Sequence, residues 1–392
     1  MKGPILTVRI LVVRLAFGIA RHLPLRSRIV LATAHSAKLA GNLVSIRDDL
    51  ARRYPTIPVV ILAHQPATDT RSRIAALWQA LIAGYHLATA RVFIVDDYFF
   101  PIYVVRPRDG TTIIQTWHAC GAFKKVGYSL LDKSFGADEE LTQRVRIHSN
   151  YDVCLVASEA SAPHYAEAFG QPLERFEWGL GIPRTDVFFG EDRLTRTRAA
   201  IRERYGLTDG RRVILYAPTF RGDTITPARA TDDLEIDILR RALGEDHVLL
   251  VRLHPFVRSR TSIGPEIADF AIDVSDYADI NELMLVSDVL VTDYSSAIYE
   301  FSLLDRPMVF FAPDYEAYER ERGFYFEYRT GVPGPIFETT EALAAHLRAG
   351  VFDLERVDRF RRESFAIADG RSTERVTDAL IVPNLTRAGR RS

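Results

Sequence analysis

The sequence predicts an α/β protein built from two domains, each a parallel β-sheet covered by helices. The chain has 392 residues, and at roughly 150 residues per domain this length suits two domains. Short apolar runs rich in β-branched residues alternate with helical patterns, and the alternation starts afresh after a charged stretch at residues 191–204. Strands that alternate with helices form parallel sheets with helices on their faces.

Five candidate strands define the first domain. They lie at residues 28–33, 59–63, 92–95, 112–116 and 153–157. Between the first two, Leu39, Leu43, Ile46 and Leu50 recur every three or four residues. This spacing is what a helix that buries one face requires. The first domain is therefore predicted to span residues 31–188.

The second domain repeats the pattern. Its candidate strands lie at residues 213–216, 248–253, 289–292 and 308–311, with a helical pattern at 298–304. An arginine-rich, helix-compatible segment at 195–205 opens it, after a junction near 185–195. The predicted boundaries are 189–380, followed by a tail at 381–392. Because ligands bind beyond the carboxyl ends of parallel strands, two such domains predict a cleft between them.

Composition excludes several classes of protein. With 50 Lys+Arg against 51 Asp+Glu, the net charge of −1 argues against a nucleic-acid-binding chain. Two cysteines, Cys120 and Cys154, cannot build a disulfide scaffold or a cysteine-rich zinc module. The sequence has no P-loop, dinucleotide-binding glycine motif or zinc-protease motif. The acidic pairs at 48–49 and 96–97 are interpreted as surface and helix-start acids, so neither metal nor cofactor is expected.

The first thirty residues are basic and apolar, and the first carboxylate is Asp48. Arginines interrupt the apolar run, which fits neither a spanning helix nor a signal peptide. Arg14, Arg21 and Arg28 are seven residues apart and would share one face of a helix. This pattern predicts that residues 1–30 lie on an anionic membrane surface. The alternative is an ordinary first helix that covers the sheet.

Polar residues follow a strand of the first domain. The strand at 112–116 leads into Trp117 and His118, then small residues and a lysine pair at 124–125. A histidine at the carboxyl end of a strand is placed for general-base chemistry. The alternative is a histidine that only hydrogen-bonds the neighbouring loop.

Two strands of the second domain also end in polar residues. Pro218, Thr219 and Arg221 follow one of them, a pattern that is common in loops. Arg252 and His254 follow the other and would point to the same side of an extended chain. A guanidinium beside an imidazole suits a phosphate oxyanion, although the pair could simply cap a sheet edge.

Ser295 and Ser296 precede a helical run after a third strand of that domain. Their hydroxyls and the free N–H groups of a helix N-terminus favour phosphate binding, and the simpler alternative is a serine N-cap. An aromatic run at 324–328 fits core packing and a ligand platform about equally.

Five motifs occur in this order along the chain: Trp117-His118 with Lys124-Lys125, Ala217 to Arg221, Arg252-x-His254-Pro255, Asp288-x-x-x-Thr292 to Ser296, and Arg322 to Tyr325. Together they closely resemble the CDP-glycerol glycerophosphotransferase family of teichoic-acid and capsule polymerases and primases. The resemblance implies a GT-B-like fold, with two Rossmann-like domains around a central active site. It also implies a peripheral location on the cytoplasmic face of the membrane.

The resemblance implies the site residues as well. His118 and His254 match the two catalytic histidines. The matching substrate-binding positions are Trp117, Ala119, Cys120, Gly121, Arg184, Pro218, Thr219, Arg252, Ser295, Ser296 and Arg322. The chain departs from the family at Ala119-Cys120-Gly121, where many members have Gly-Thr-Pro, and at Glu300, where many have aspartate.

The implied reaction is transfer of glycerol phosphate, or a related polyol phosphate, from CDP-glycerol to an acceptor hydroxyl with release of CMP. The implied acceptor is a lipid-linked or growing polyol-phosphate polymer, and no cofactor is needed. Two alternatives stay open: a GT-B glycosyltransferase or epimerase that uses a nucleotide sugar, and a non-catalytic membrane-associated binding protein.

Overall fold

The computed structural model describes residues 3–34, 36–64, 70–131, 133, 139–222, 233–254, 257 and 263–386. Pro255 of the predicted Arg-x-His-Pro motif and residues 387–392 of the predicted tail lie outside these residues.

The first lobe is built on a six-stranded sheet in which every pairing is parallel. The strand order is β2-β1-β3-β4-β5-β6. The strands are β1 (Arg26–Thr33), β2 (Val59–Ala63), β3 (Ala90–Val95), β4 (Thr112–Gln115), β5 (Val153–Leu155) and β6 (Phe176–Glu177). Residues of β3 and the middle of β1 are buried, as a sheet covered on both faces requires.

The second lobe repeats this design with the order β12-β11-β10-β7-β8-β9, again entirely parallel. Its strands are β7 (Arg212–Tyr216), β8 (His247–Val251), β9 (Ala271–Asp273), β10 (Val289–Thr292), β11 (Met308–Phe311) and β12 (Ile336–Phe337). The predicted pair of parallel sheets is confirmed. Strands β6, β9 and β12 were not predicted; they are edge strands of two or three residues, too short to show a periodic pattern.

Helices cover both sheets. The α-helices are α1 (Gly3–Ala20), α2 (Gly41–Arg53), α3 (Thr70–Thr89), α4 (Phe100–Tyr103), α5 (Glu139–Arg144), α6 (Ala162–Phe169), α7 (Glu191–Arg204), α8 (Ile236–Leu243), α9 (Ile280–Val286), α10 (Ala297–Ser302), α11 (Tyr315–Glu321), α12 (Tyr328–Gly331), α13 (Thr340–Ala349), α14 (Leu354–Ser364), α15 (Ser372–Val376) and α16 (Val382–Thr386). A 3-10 helix at Pro183–Phe188 precedes α7 and leads from the first lobe into the second.

The C-terminal helices return to the first lobe. α15 packs against α2, and α16 packs against β1 and β3. Arg53 on α2 bonds the carboxylate of Asp378 at 2.8 Å, and the Ser27 hydroxyl donates to the Leu385 carbonyl at 3.1 Å. The sequence interpretation assigned residues up to 380 to the second domain, whereas the structure packs residues 372–386 on the first. Sequence order alone could not show this, because the return is a contact between distant parts of the chain.

The predicted basic face of the N-terminal segment does not form. Helix α1 ends at Ala20, so Arg28 lies in β1, where its side chain is buried and donates to Thr89 Oγ1 at 2.8 Å. The Nε of Arg14 donates to the Val104 carbonyl. The helix buries Leu6, Val13, Phe17 and Ala20 against the protein. Within the described part of the chain, no helix combines the length and apolar character needed to span a bilayer.

Candidate functional site

Two neighbouring strands of the first sheet bring a carboxylate beside His118. Strands β3 and β4 are parallel partners, so the residues that follow them share one edge of the sheet. His118 Nδ1 lies 3.6 Å from Asp97 Oδ2, and the histidine side chain is 51% exposed. The preceding Asp96 is more deeply placed, and burial raises its pKa to about 7. One acid of the pair at 96–97 thus contacts the candidate catalytic histidine.

Trp117 holds the backbone in an unusual conformation just before His118. Its φ of 52° lies in the left-handed region, which is costly for a bulky side chain. Gln115 Oε1 accepts its N–H at 2.8 Å, and Asn42 Nδ2 donates to its carbonyl at 2.8 Å. The ring is 3% exposed and packs on Phe169 at 5.1 Å. Trp117 therefore lies in the core of the first lobe and orients the loop that carries His118.

A chain of polar contacts connects the His118 loop to the second lobe. The Arg184 guanidinium donates to the His118 carbonyl, and its Nε lies 3.4 Å from Glu300 Oε1 on α10. Burial opposes the charge of Arg184, but Glu300 raises its pKa overall. Cys120 lies beside Glu300, and burial raises the pKa of both the thiol and the carboxylate. The Cys120 side chain is 1% exposed and lies inside the protein.

Gly121 lets the same loop approach α10 closely. A Cβ at this position would lie 2.1 Å from Cε1 of Tyr299, well inside the contact distance of carbon atoms. Ala119 is half-buried, whereas Gly121 is buried. The segment in which the chain departs from the family pattern therefore forms part of the contact between the lobes.

In the second lobe, two buried polar atoms follow two neighbouring strands. Strands β7 and β8 are parallel partners, and Thr219 and Arg252 follow them. The side chains are 5% and 8% exposed. Among the described residues, Thr219 Oγ1 and Arg252 Nε have no hydrogen-bond partner. Burial lowers the pKa of Arg252. A buried guanidinium whose charge is not fully compensated is costly, and a bound anion would offset that cost.

Arg221 stabilises the loops of the second lobe through two ion pairs. Its guanidinium bonds Asp293 Oδ2 at 2.9 Å and Asp314 Oδ2 at 2.6 Å, and these two carboxylates outweigh burial and raise its pKa. Asp293 also accepts the Thr219 N–H at 2.8 Å. Arg221 and Asp293 therefore hold the β7 and β10 loops in place. Pro218, the residue before Thr219, is buried.

Ser295 and Ser296 lie between β10 and α10 and are half-buried. The Ser295 hydroxyl accepts the N–H of Ala297 at 3.3 Å, as a local helix cap does, and Ser296 forms no such bond. The His254 ring packs on Phe220, with ring centroids 4.7 Å apart, and Phe220 follows Thr219 in the chain. Phosphate binding by the two serines stays a prediction.

The two lobes also join through paired backbone. Lys124 forms an antiparallel bridge with Phe324, and the Lys125 N–H donates to the Gly323 carbonyl at 3.1 Å. This pairing brings Lys124 within electrostatic range of Arg322, which follows α11. Burial, Arg322 and Arg221 lower the pKa of Lys124 to about 7, although Asp293 opposes them. A cluster of cations therefore forms where the lobes meet.

The aromatic run at 324–328 belongs to the core. Phe123 of the first lobe stacks on Phe326 with ring centroids 5.3 Å apart, and Tyr328 is fully buried. Core packing therefore accounts for Phe326 and Tyr328, whereas Glu327 of the same run is exposed.

The roles of Asp97 and Asn42 are not evident from the sequence. Asp97 follows a strand, which was the available indication, but the pairing of β3 with β4 is visible only in the fold. The pair at 48–49 is different: Asp48 bonds Arg47 and Asp49 bonds Arg53 on α2. Across the described ranges, no group of three or more His, Cys, Asp or Glu side chains is arranged to hold a metal ion.

The fold and this site define an α/β protein of two lobes. A histidine–carboxylate pair follows the strands of the first sheet, and a buried arginine follows a strand of the second. A sequence model described as CDP-Glycerol:Poly(glycerophosphate) glycerophosphotransferase matches residues 15–382. The chain therefore belongs to that family, and the predicted resemblance is confirmed.

Curated relatives support the same assignment. The chain is 38% identical to the teichoic acid ribitol-phosphate primase of Bacillus spizizenii, over 90% of each chain. It is 34% identical to the teichoic acid poly(ribitol-phosphate) polymerase of the same organism, over 94% of this chain and 58% of the relative. The teichoic acid glycerol-phosphate primase of Bacillus subtilis is 30% identical, over 74% of each chain.

Solved structures confirm the GT-B-like fold. The wall teichoic acid polymerase TagF superposes with a TM-score of 0.77 and 24% identity, covering 95% of this chain and 93% of that chain. A UDP-GlcNAc 2-epimerase from Neisseria meningitidis is more distant, with a TM-score of 0.53 and 12% identity over 90% of this chain and 100% of that chain.

Proposed function

We propose that the protein transfers a polyol phosphate from a CDP-activated polyol, either CDP-glycerol or CDP-ribitol, to a hydroxyl of a lipid-linked or growing teichoic-acid-type polymer, and releases CMP. The observation that carries this proposal is the pair of buried, unpartnered polar atoms on Arg252 and Thr219 at adjacent strand ends. A diphosphate supplies the acceptor oxygens that such groups lack. The family to which the chain belongs favours this reaction over transfer from a nucleotide sugar.

His118 would accept the proton of the acceptor hydroxyl, because an alcohol is a poor nucleophile at neutral pH. The hydroxyl oxygen then attacks the phosphorus that bears the polyol. The bond between that phosphorus and the bridging oxygen breaks, and CMP leaves with the electron pair. Asp97, 3.6 Å from His118 Nδ1, orients the ring and favours its protonated form. The roles of base and stabiliser could be exchanged between His118 and His254.

Fixed cations would stabilise the charge on the transferred phosphate and on CMP. Arg252 follows β8 and is buried, and Arg322 and Lys124 lie where the lobes meet. Such groups stabilise a transition state effectively because they are already in position before the reaction. The proposed reaction assigns charge neutralisation to these fixed cations and includes no metal or cofactor.

Donor screening tests the proposal directly. The protein is incubated with CDP-glycerol, CDP-ribitol and a set of UDP-sugars, and the nucleotide released is identified by mass spectrometry. Release of CMP with a phosphate-containing product supports polyol-phosphate transfer. Release of UDP would instead support the nucleotide-sugar alternative, and no turnover with any donor would support a binding protein.

Asp97→Asn is expected to lower the rate of CMP release by about 10²-fold, because the neutral amide no longer orients the general base. The acidic limb of the pH–rate profile is also expected to move to lower pH, since the carboxylate no longer favours the protonated imidazole. Asp48→Asn is the matched control, because Asp48 is an exposed acid that pairs with Arg47. An unchanged rate and pH profile in Asp97→Asn would remove Asp97 from the mechanism.

Donor binding is expected to weaken as the pH rises above about 7, the value to which burial lowers the pKa of Lys124. A bound diphosphate favours the charged amine, so its pKa rises in the complex and binding takes up a proton at pH 8. Calorimetry in buffers of different ionisation enthalpy measures this uptake. Lys124→Arg keeps the charge and should remove the pH dependence, whereas Lys125→Arg should retain it. Equal proton uptake in both variants would contradict this assignment.

We also propose that the α1–α3 face, formed by exposed apolar residues of two packed helices, rests on an anionic membrane surface. On α1 these residues recur on one side, and the whole set is Val8, Leu11, Leu15, Ile19, Ile74, Trp78, Leu81 and Ile82. The neighbouring Arg21 and Arg26 are exposed. Apolar side chains with a tryptophan, bordered by cations, suit the boundary of an anionic bilayer.

Replacing Leu11 and Leu15 together by glutamate is expected to reduce binding to anionic liposomes by roughly tenfold or more, because two buried leucines contribute several kcal/mol. Co-sedimentation measures the bound fraction. The matched control replaces Val351 and Leu354, which are 74% and 47% exposed on another part of the surface. Equal sedimentation of the two double variants would show that the α1–α3 face does not bind the membrane.

A further inference from the structure

A cavity lies between the lobes and is lined in part by the loop that carries His118. Its volume is about 320 Å³, at the lower end of the range of ~300–1,000 Å³ for ligand pockets. Gly121, Ser158 and Ser161 line it from the first lobe, and Tyr299 and Phe360 line it from the second. Three residues of chain span at most about 11 Å, so the cavity wall at Gly121 is within that distance of the His118 backbone.

The lining of this interlobe cavity differs from that of the phosphate site. It combines serine and threonine hydroxyls, aromatic rings and the carboxylates of Glu327 and Glu363. Among its described lining residues there is no lysine or arginine, and burial lowers the pKa of His164, so the imidazole is neutral at neutral pH. Arg252, Arg322 and Lys124 lie instead at the site described above. The interlobe cavity therefore disfavours phosphate.

We infer that the interlobe cavity binds an uncharged, hydroxyl-rich part of the acceptor, either a sugar ring or a linear polyol. The inference rests on the proposed function, because it assigns a place to the acceptor of that reaction. Carboxylates accept hydrogen bonds from several hydroxyls at once, and they repel a phosphodiester. Tyr299 and Phe360, with ring centroids 5.1 Å apart, offer apolar surface to the C–H face of such a group.

The position of Gly121 relates the interlobe cavity to His118. The Gly121 backbone contacts Tyr299 and forms part of the cavity wall, while His118 lies three residues earlier in the same loop. An acceptor whose reacting hydroxyl lies at His118 can therefore extend its uncharged part into the interlobe cavity. In this arrangement the phosphate groups of the substrates bind the cations of the phosphate site. The neutral, hydroxyl-bearing part of the acceptor lies beside the carboxylates of the interlobe cavity.

Saturation-transfer NMR on the full chain tests this inference. The probes are maltose for sugars, ribitol and glycerol for polyols, and glycerol 3-phosphate for a charged polyol. Thr330→Trp places a bulky side chain at an exposed lining position on α12, and Glu363→Ala removes one carboxylate without adding bulk. Ala349→Trp is the matched control, because it adds the same side chain at an exposed position of α13 outside the lining.

We expect saturable binding of maltose or ribitol, at least tenfold weaker in Thr330→Trp, severalfold weaker in Glu363→Ala and unchanged in Ala349→Trp. Preference for maltose identifies a sugar site, and preference for ribitol or glycerol identifies a polyol site. Absence of saturable binding by every neutral probe, equal binding in Thr330→Trp, or competition by glycerol 3-phosphate would overturn the inference. CMP release is measured separately in each variant, so failure of the proposed reaction is distinguished from failure of the cavity assignment.

Discussion

Replacing His118 by alanine is expected to lower the rate of CMP release by a factor of about 10²–10⁴, the usual contribution of a positioned general base. The imidazole is half-exposed, at 51%, and a carboxylate oxygen of Asp97 lies 3.6 Å from Nδ1. Because Nδ1 faces the carboxylate, we expect Nε2 to take the proton of the acceptor hydroxyl. His254→Ala is expected to cause a comparable loss if that imidazole stabilises the leaving group.

Single-turnover CMP release with a CDP donor measures this effect, and circular dichroism checks that each variant is folded. His22→Ala is the control, because His22 is an exposed histidine in the turn after α1. Wild-type rates in both His118→Ala and His254→Ala would end the proposed mechanism. A loss in only one of the two would identify the histidine that serves as the base.

Arg252→Gln is expected to lower turnover by about 10²–10³-fold, the cost of removing one preorganised donor from a developing negative charge. The guanidinium is 8% exposed, its Nε has no partner among the described residues, and burial lowers its pKa. Arg252→Lys is expected to restore only part of the activity, because an ammonium group lacks the planar pair of donors that a phosphate accepts.

Thermal unfolding separates this catalytic role from a structural one. In the absence of donor, Arg252→Gln is expected to be as stable as the wild type or more so, because a buried and incompletely compensated charge has been removed. The increase in Tm that a CDP donor produces in the wild type should disappear in the variant. Arg240→Gln is the control, since Arg240 forms an exposed ion pair with Asp269 in the same lobe. A marked fall in stability without donor, with the donor-induced shift retained, would contradict a phosphate-binding role.

The contact between the lobes includes the loop that carries His118 and the positions at which the chain departs from the family pattern. Glu300 on α10 lies 3.4 Å from Arg184, and Arg184 in turn donates to the carbonyl of His118. Cys120 lies beside Glu300, and Gly121 packs directly against Tyr299. The loop positions 119–121 and residue 300, where the chain departs from the family pattern, therefore lie in the same contact between the lobes.

Much of the architecture could be predicted from local patterns. Alternating apolar runs and helical spacing indicate most strands and their parallel arrangement, because burial on both faces leaves a near-continuous apolar strand. The order of the motifs indicated the family, since four of the five follow a strand and the chain order survives in the sequence. The short edge strands β6, β9 and β12 could not be predicted, because two or three residues are too few to show a periodic pattern.

The sequence by itself determined the two-lobed α/β plan, the family and the residue types at the strand ends. Only the tertiary structure decided which of those residues meet: Asp97 with His118, and Glu300 with Arg184. It also showed that Arg28 is buried in β1 and that the C-terminal helices cover the first sheet. The physical reason is that apolar periodicity is a local property, whereas the pairing of polar groups depends on which strands become neighbours and on how the two lobes pack.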